Sequence, residues 1–106
     1  MKTIFTTNTF DSWFSGLKDN HAKRRIQMRI DRAEDGNFGD TKPVGEGVSE
    51  MRVSVGAGYR VYYMQKGNGY EIVILLAGGD KSTQQQDIRT AIELARDIKG
   101  EQWPLH

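Results

Sequence analysis

Apolar residues recur along this chain in two rhythms. Phe10, Trp13, Phe14 and Leu17 fall at i, i+3, i+4 and i+7, and Ala22, Ile26, Ile30 and Ala33 continue with a helical period. Each set places one apolar stripe on a helix. Asn8 or Thr9 offers a side-chain cap to the first helix, and Gly36 stands where a left-handed residue ends the second. Asp19-Asn20 breaks the pattern between them, so the two helices are expected to form an αα-hairpin. Lys2 to Phe5 has extended character and reads as a first strand. Asn37 to Gly47 is polar and glycine-rich, with Pro43 inside, and reads as a loop.

From Ser49 the rhythm becomes two. Met51, Val53 and Val55 point one way, and Glu50, Arg52 and Ser54 the other. Gly56-Ala57-Gly58 is a turn. Beyond it Tyr59, Val61 and Tyr63 share one face, and Arg60, Tyr62 and Met64 the opposite face. Gly67-Asn68-Gly69 is a hairpin signal. Tyr70 to Ala77 is an almost unbroken apolar run, typical of a central strand buried on both sides. Gly78 to Lys81 reads as a loop, with Ser82 or Thr83 capping a last helix. The apolar stripe of that helix is Ile88, Ala91, Ile92, Ala95 and Ile98. The tail from Gly100 to His106 is expected to fray, with Trp103 as a residue that could dock.

The expected order is β-α-α-β-β-β-α, an α+β domain with a helical hairpin and a C-terminal helix packed on a small, mainly antiparallel sheet. The helices are expected to cover one face and leave the other partly open. Arg52 and Arg60 would then meet on the open face, a position where an arginine in mid-strand is tolerable.

Composition adds limits. A chain of 106 residues fits one domain with one modest core. Charged residues make up 27% and the net charge is only +1, so any polyanion site must be a local patch. There is no cysteine, hence neither a disulfide framework nor thiolate chemistry. The start, MKTIFTTNTF, has no apolar run long enough for a secretion signal. No window resembles a membrane helix. The expected location is the cytoplasm.

The candidate cleft gathers Arg52, Arg60 and Tyr62, with Lys81 just after the last strand and Lys42 just before the strand meander. Converging cations suit a phosphodiester, and arginine matches phosphate bidentately. Tyr62 would offer a base-stacking platform. The plainer alternative pairs Arg52 with Glu50 or Glu71, and Arg60 with Asp80, as surface ion pairs. The second helix carries Lys23, Arg24, Arg25, Arg29 and Arg32. These either track nucleic acid or an acidic partner, or form a solvated outer face. "GEG" at 45–47 and "GAG" at 56–58 lack the strand–GxGxxG–helix context and read as turns. Asp80-Lys81 before the last helix could hold an anion or be ordinary loop polarity. His21 and His106 have no evident catalytic partner. No metal-ligand spacing and no Ser-His-Asp arrangement stands out, so neither a metal nor another cofactor is expected.

The combination of "KPVGEGV", "EMR", "GYRVYY" and "LLAGGDKSTQ" resembles the RelE/HigB-type toxins of bacterial type II toxin–antitoxin pairs. Within the RelE/ParE superfamily it is most similar to the group called addiction module killer proteins, over Phe10 to Ile98. The resemblance implies a helical hairpin beside a small antiparallel sheet. It also implies an endoribonuclease that cuts messenger RNA on the ribosome, using the RNA's own 2′-hydroxyl as nucleophile. The implied partner is a cognate helix-turn-helix antitoxin, which would bring the pair to promoter DNA. On this likeness Arg60 and Arg52 hold the reacting phosphate, Lys81 is a general acid or electrostatic group, and Lys42 or Asp80 is the base. The last helix, Thr83 to Ile98, is implied as a place where the antitoxin acts. Two alternatives share the fold: a ParE-type toxin directed at DNA gyrase, and a domain that only binds a protein partner.

Overall fold

Residues 1–100 are described by a computed structural model. β1 (Thr3–Thr6) leads into α1 (Asn8–Ser15) and α2 (Asn20–Glu34). Four strands follow: β2 (Thr41–Gly45), β3 (Val48–Val53), β4 (Tyr59–Lys66) and β5 (Ile72–Asp80). A 3-10 turn, Lys81–Thr83, then opens α3 (Gln84–Gly100). The fold is α+β. The sheet runs β1-β5-β4-β3-β2, with β1 parallel to β5 and the other pairs antiparallel. Beyond Gly100, the expected tail and Trp103 lie outside the described residues.

β2 is one strand more than the sequence pattern suggested. It lies at the sheet edge and is mostly exposed, so it has no apolar alternation to reveal it. Pro43 is tolerated there because an edge strand can face its missing N–H outward. β5 is also longer than expected and takes in Gly78 and Gly79. A Cβ on Gly78 would lie 2.2 Å from the Trp13 ring, and one on Gly79 would lie 1.8 Å from Asp87 Oδ2. These glycines are therefore not loop residues. They let α1 and α3 approach the strand from opposite sides.

The expectation of one covered face and one open face does not hold. α1 and α2 bury a core that contains Phe10, Ile26, Met51, Val61, Tyr63 and Leu75. α3 buries a second core on the other face, around Val48, Tyr62, Met64, Ile74, Leu76 and Ala91. The reason lies in β5: its consecutive apolar residues face both ways, so both faces need a cover.

A β-bulge interrupts β5. Tyr62 is opposite Ala77 but Tyr63 is opposite Leu75, which leaves Leu76 as the extra residue. Thr7 bridges this bulge to α1. Its hydroxyl donates to the Leu76 carbonyl at 2.6 Å and accepts from the Phe10 N–H at 3.0 Å. Thr7, rather than Asn8 or Thr9, is thus the cap of α1. Thr7→Ala should cost about 1–2 kcal/mol, through the lost cap and the lost bond to the bulge. Urea unfolding monitored by tryptophan fluorescence checks this, and an unchanged midpoint would refute it.

At the far edge, the tip between β2 and β3 is tied to α3. Glu46 has φ +52 and accepts both Nε and Nη2 of Arg96, at 2.8 and 2.5 Å. The hydrogen bonds from Arg96 hold the Glu46 carboxyl below its usual range. Lys99 Nζ donates to the Glu46 carbonyl at 2.5 Å.

Candidate functional site

Arg52 and Arg60 stand directly opposite each other in the β3–β4 register, as the strand alternation implied. The antiparallel pair turns through residues 54–58, and this end of the sheet opens as a cleft of about 550 Å³. Its charged walls are Asp40, Arg52, Arg60 and Lys81, and Tyr59 supplies an aromatic surface. Lys81 is exposed, and its stem lies across Gly58, 3.0 Å from where a Cβ would stand. Gly58 has φ +79, so it serves both the turn and the passage of the lysine.

The centre of the site is a residue considered above only as an ion-pair partner. Glu50 is fully buried, opposite Tyr62 on β4 and Lys42 on β2. Arg60 Nε lies 3.6 Å from its Oε1; Arg52 Nε and Lys42 Nζ lie 3.9 and 4.0 Å from its Oε2. Gln84, the first residue of α3, donates to Oε1 at 3.1 Å. Glu50 Oε2, Arg52 Nε and Arg60 Nε are buried and make no hydrogen bond among the described residues. The carboxylate thus holds the guanidiniums by charge at a distance, without saturating them. Inside a low-dielectric site such attraction is strong. Three cations against one buried carboxylate leave the cluster positive.

Each arginine has a second anchor. Arg52 Nη2 is 3.1 Å from Asp40 Oδ1, and Arg60 Nη1 donates to the Gly58 carbonyl at 3.0 Å. Arg29 of α2 fixes the backbone beneath them. It donates to the carbonyls of Arg52 and Phe38, at 2.5 and 2.9 Å. Burial is the main cause of Arg29's lowered proton affinity.

Of the plainer pairings, Arg52 with Glu50 is present. Arg60 pairs with Glu50 rather than Asp80. Glu71 sits at the opposite end of the sheet, where it accepts from the Gly69 N–H. The expected open face is replaced by this cleft at the sheet end, and Arg60 is almost completely buried. Tyr62 does not reach the surface. It is wholly buried in the α3 core, and burial there raises its hydroxyl pKa. The accessible aromatic is Tyr59, whose ring is 6.4 Å from that of Trp13. Lys42 is half exposed beside Glu50. Asp80 caps the turn into α3 by accepting from the Ser82 N–H at 2.8 Å and from its hydroxyl at 2.5 Å. Those bonds hold its carboxyl below the ordinary range.

Strand alternation carried a signal for Glu50, because it shares the face of Arg52. Its full burial depended on β2 and α3, which the local pattern does not place. Tyr59 has the alternation of a core residue and reaches the cleft only because β4 begins there.

The arrangement can bind an anion between anchored arginines and an exposed lysine, next to an aromatic ring. Among known proteins, the family described as Phage derived protein Gp49-like (DUF891) matches residues 12–99. A relative from Haemophilus influenzae, described as an uncharacterized protein, is 54% identical over 95 residues, which cover 90% of this chain and 94% of that protein. The matched segment includes Glu50, Arg52, Tyr59, Arg60 and Lys81, and the chain belongs to the phage-derived Gp49-like family.

Proposed function

We propose that the chain is the toxin of a type II toxin–antitoxin pair, of RelE/HigB type. It cuts messenger RNA on the ribosome and so blocks translation in the cytoplasm. A cognate helix-turn-helix antitoxin neutralises it and carries the pair to promoter DNA. The observation that carries this reading is the convergence of Arg52, Arg60 and Lys81 on one cleft around buried Glu50. The Gp49-like family's association with RelE-like toxins supports it.

The chemistry is the one that the resemblance to RelE-type toxins implies, and the placement of the side chains supports it. The RNA 2′-hydroxyl attacks the adjacent phosphorus, and the bond to the 5′-oxygen breaks. Products are a 2′,3′-cyclic phosphate and a 5′-hydroxyl. Arg60 and Arg52 face the charge that grows on the phosphate, already oriented by Glu50, Asp40 and Gly58. Lys81 reaches over the cleft rim and supplies the proton or the charge for the leaving oxygen. Tyr59 offers a stacking surface for a neighbouring base. Asp80 is a poor proton acceptor because Ser82 stabilises its charged form, and Lys42, beside the Glu50 carboxylate and outside the lining of the cleft, could act as base only in its uncharged form.

Lys81→Ala is the direct test, because an exposed side chain can be removed without unfolding the domain. Primer extension on a defined message, with and without ribosomes, should show ribosome-dependent cuts. Their rate should fall at least about 100-fold in the variant. Equal cutting by the variant would remove Lys81 from the reaction. A folded, toxic protein that leaves the message intact would overturn the nuclease reading and favour a gyrase-directed toxin.

A further inference from the structure

We infer that the RNA track continues out of the cleft along α2, where Arg25 and Arg32 bind phosphates of nucleotides flanking the cut. This rests on the reading of the cleft as an RNA site. α2 buries Ala22, Ile26, Ile30 and Ala33 against the sheet. At about 100° per residue, Arg25, Arg29 and Arg32 share one flank of the helix, beside that buried stripe. The middle member lies against the backbone that carries the cleft wall. Arg29 bonds the carbonyl of Arg52, and the charge of Asp40, a cleft wall, acts on it. After burial and the opposing pull of Asp40, the charges of Arg32 and Arg25 also lower the proton affinity of Arg29. The three guanidiniums are therefore near neighbours in one row.

The outer two are uncommitted. Arg25 and Arg32 are exposed, and neither side chain has a hydrogen-bond or ion-pair partner among the described residues. They stand about 10 Å apart along the helix axis, one on each side of the anchored Arg29. Unpaired like charges in a row repel each other, and a polyanion laid along them relieves that repulsion. Continuity with the cleft selects the anion: a strand lying between Arg52 and Arg60 leaves past Asp40 onto this row. The ligand class is thus the sugar–phosphate backbone of single-stranded RNA, bound without base readout.

The test uses 2′-O-methyl RNA, which lacks the nucleophile, in lengths of about 5 and about 15 nucleotides, near the two ends of the usual range of single-strand site sizes. Binding is read by fluorescence anisotropy across a salt series. Wild type should hold the longer strand more tightly and with a steeper salt dependence. Arg25→Gln/Arg32→Gln should reduce the slope of log K against log salt by about 1.4 for the longer strand, from about 0.7 per phosphate contact. The shorter strand should be unaffected. Arg24→Gln, about 100° further round on the outer face, should leave the slope of wild type. Equal affinity for both lengths, an unchanged slope in the double variant, or the same loss from Arg24→Gln would each overturn the track while leaving the cleft intact. Failure of wild type to bind either length would also overturn the track, and the message assay with ribosomes decides the cleft reading separately.

Discussion

Arg60→Met should lower the stability of the domain by about 3–5 kcal/mol, the usual consequence of stranding one member of a buried ion pair. Glu50 would keep a carboxylate with no exposure to water and lose the cation nearest to it, at 3.6 Å. Arg52 and Lys42 are farther off, and each is partly solvated. A loss of that size corresponds to a fall in Tm of more than about 12 °C for a domain near this length. Adding Glu50→Leu should return much of the loss, because no charge is then left buried. Calorimetry on the two single variants and the double gives the coupling directly. If the double variant shows the plain sum of the single effects, the buried pair is not the organising element described here. The same cycle separates two roles of Arg60. The double variant should be folded yet inactive in message cleavage, since it keeps a sheet but lacks the arginine proposed to clamp the phosphate.

Gly78→Val should cost about 3 kcal/mol or more, at the upper end for overpacking. The Trp13 ring lies where the new Cβ would be, at 2.2 Å, and Gly78 is in mid-strand. The backbone cannot yield without breaking the pairing with Val61, so α1 must lift from the sheet. Trp13→Ala in the Gly78→Val background should restore part of the stability, although the single Trp13→Ala change is itself destabilising. Urea denaturation reads all three variants. Gly78→Val with the midpoint of wild type would show that α1 moves freely and that the contact with Trp13 carries no packing energy.

Much of the fold was legible from local pattern. The period-two alternation from Met51 to Met64 assigned the right faces and brought Arg52 opposite Arg60. The stripe of α2 is the buried one found, while those of α1 and α3 pack against the cores but are fully buried only at Phe10, Ala91 and Ala95, and Leu17 lies beyond the end of α1. What was not legible depends on neighbours distant in sequence. β2 has no alternation of its own and exists because β3 offers it an edge. Gly78 and Gly79 look like loop residues until Trp13 and Asp87 are known to press on them. The apolar run of β5 already implied two covered faces, a demand that conflicts with placing all three helices on one side. At the site, the arginines could be found by counting along two strands. Glu50 became the hub only when α3 closed over it and Gln84 reached its Oε1. Tyr62 was misplaced for the same reason: its face is the one that α3 covers.

The position of α3 also governs when the domain can be completed during synthesis. Everything from β1 to β5 emerges from the ribosome first, and it presents Val48, Met64, Ile72, Ile74 and Leu76 on an uncovered face. No earlier segment substitutes for the cover, because α1 and α2 are committed to the opposite side. The tie from Glu46 to Arg96 and Lys99 joins residues about fifty positions apart and forms last. A growing chain therefore carries a sticky sheet and an unfinished arginine cluster until its final helix is free. Translation that stalls before α3 is complete leaves an aggregation-prone fragment, while synthesis through α3 delivers the arginine cluster whole.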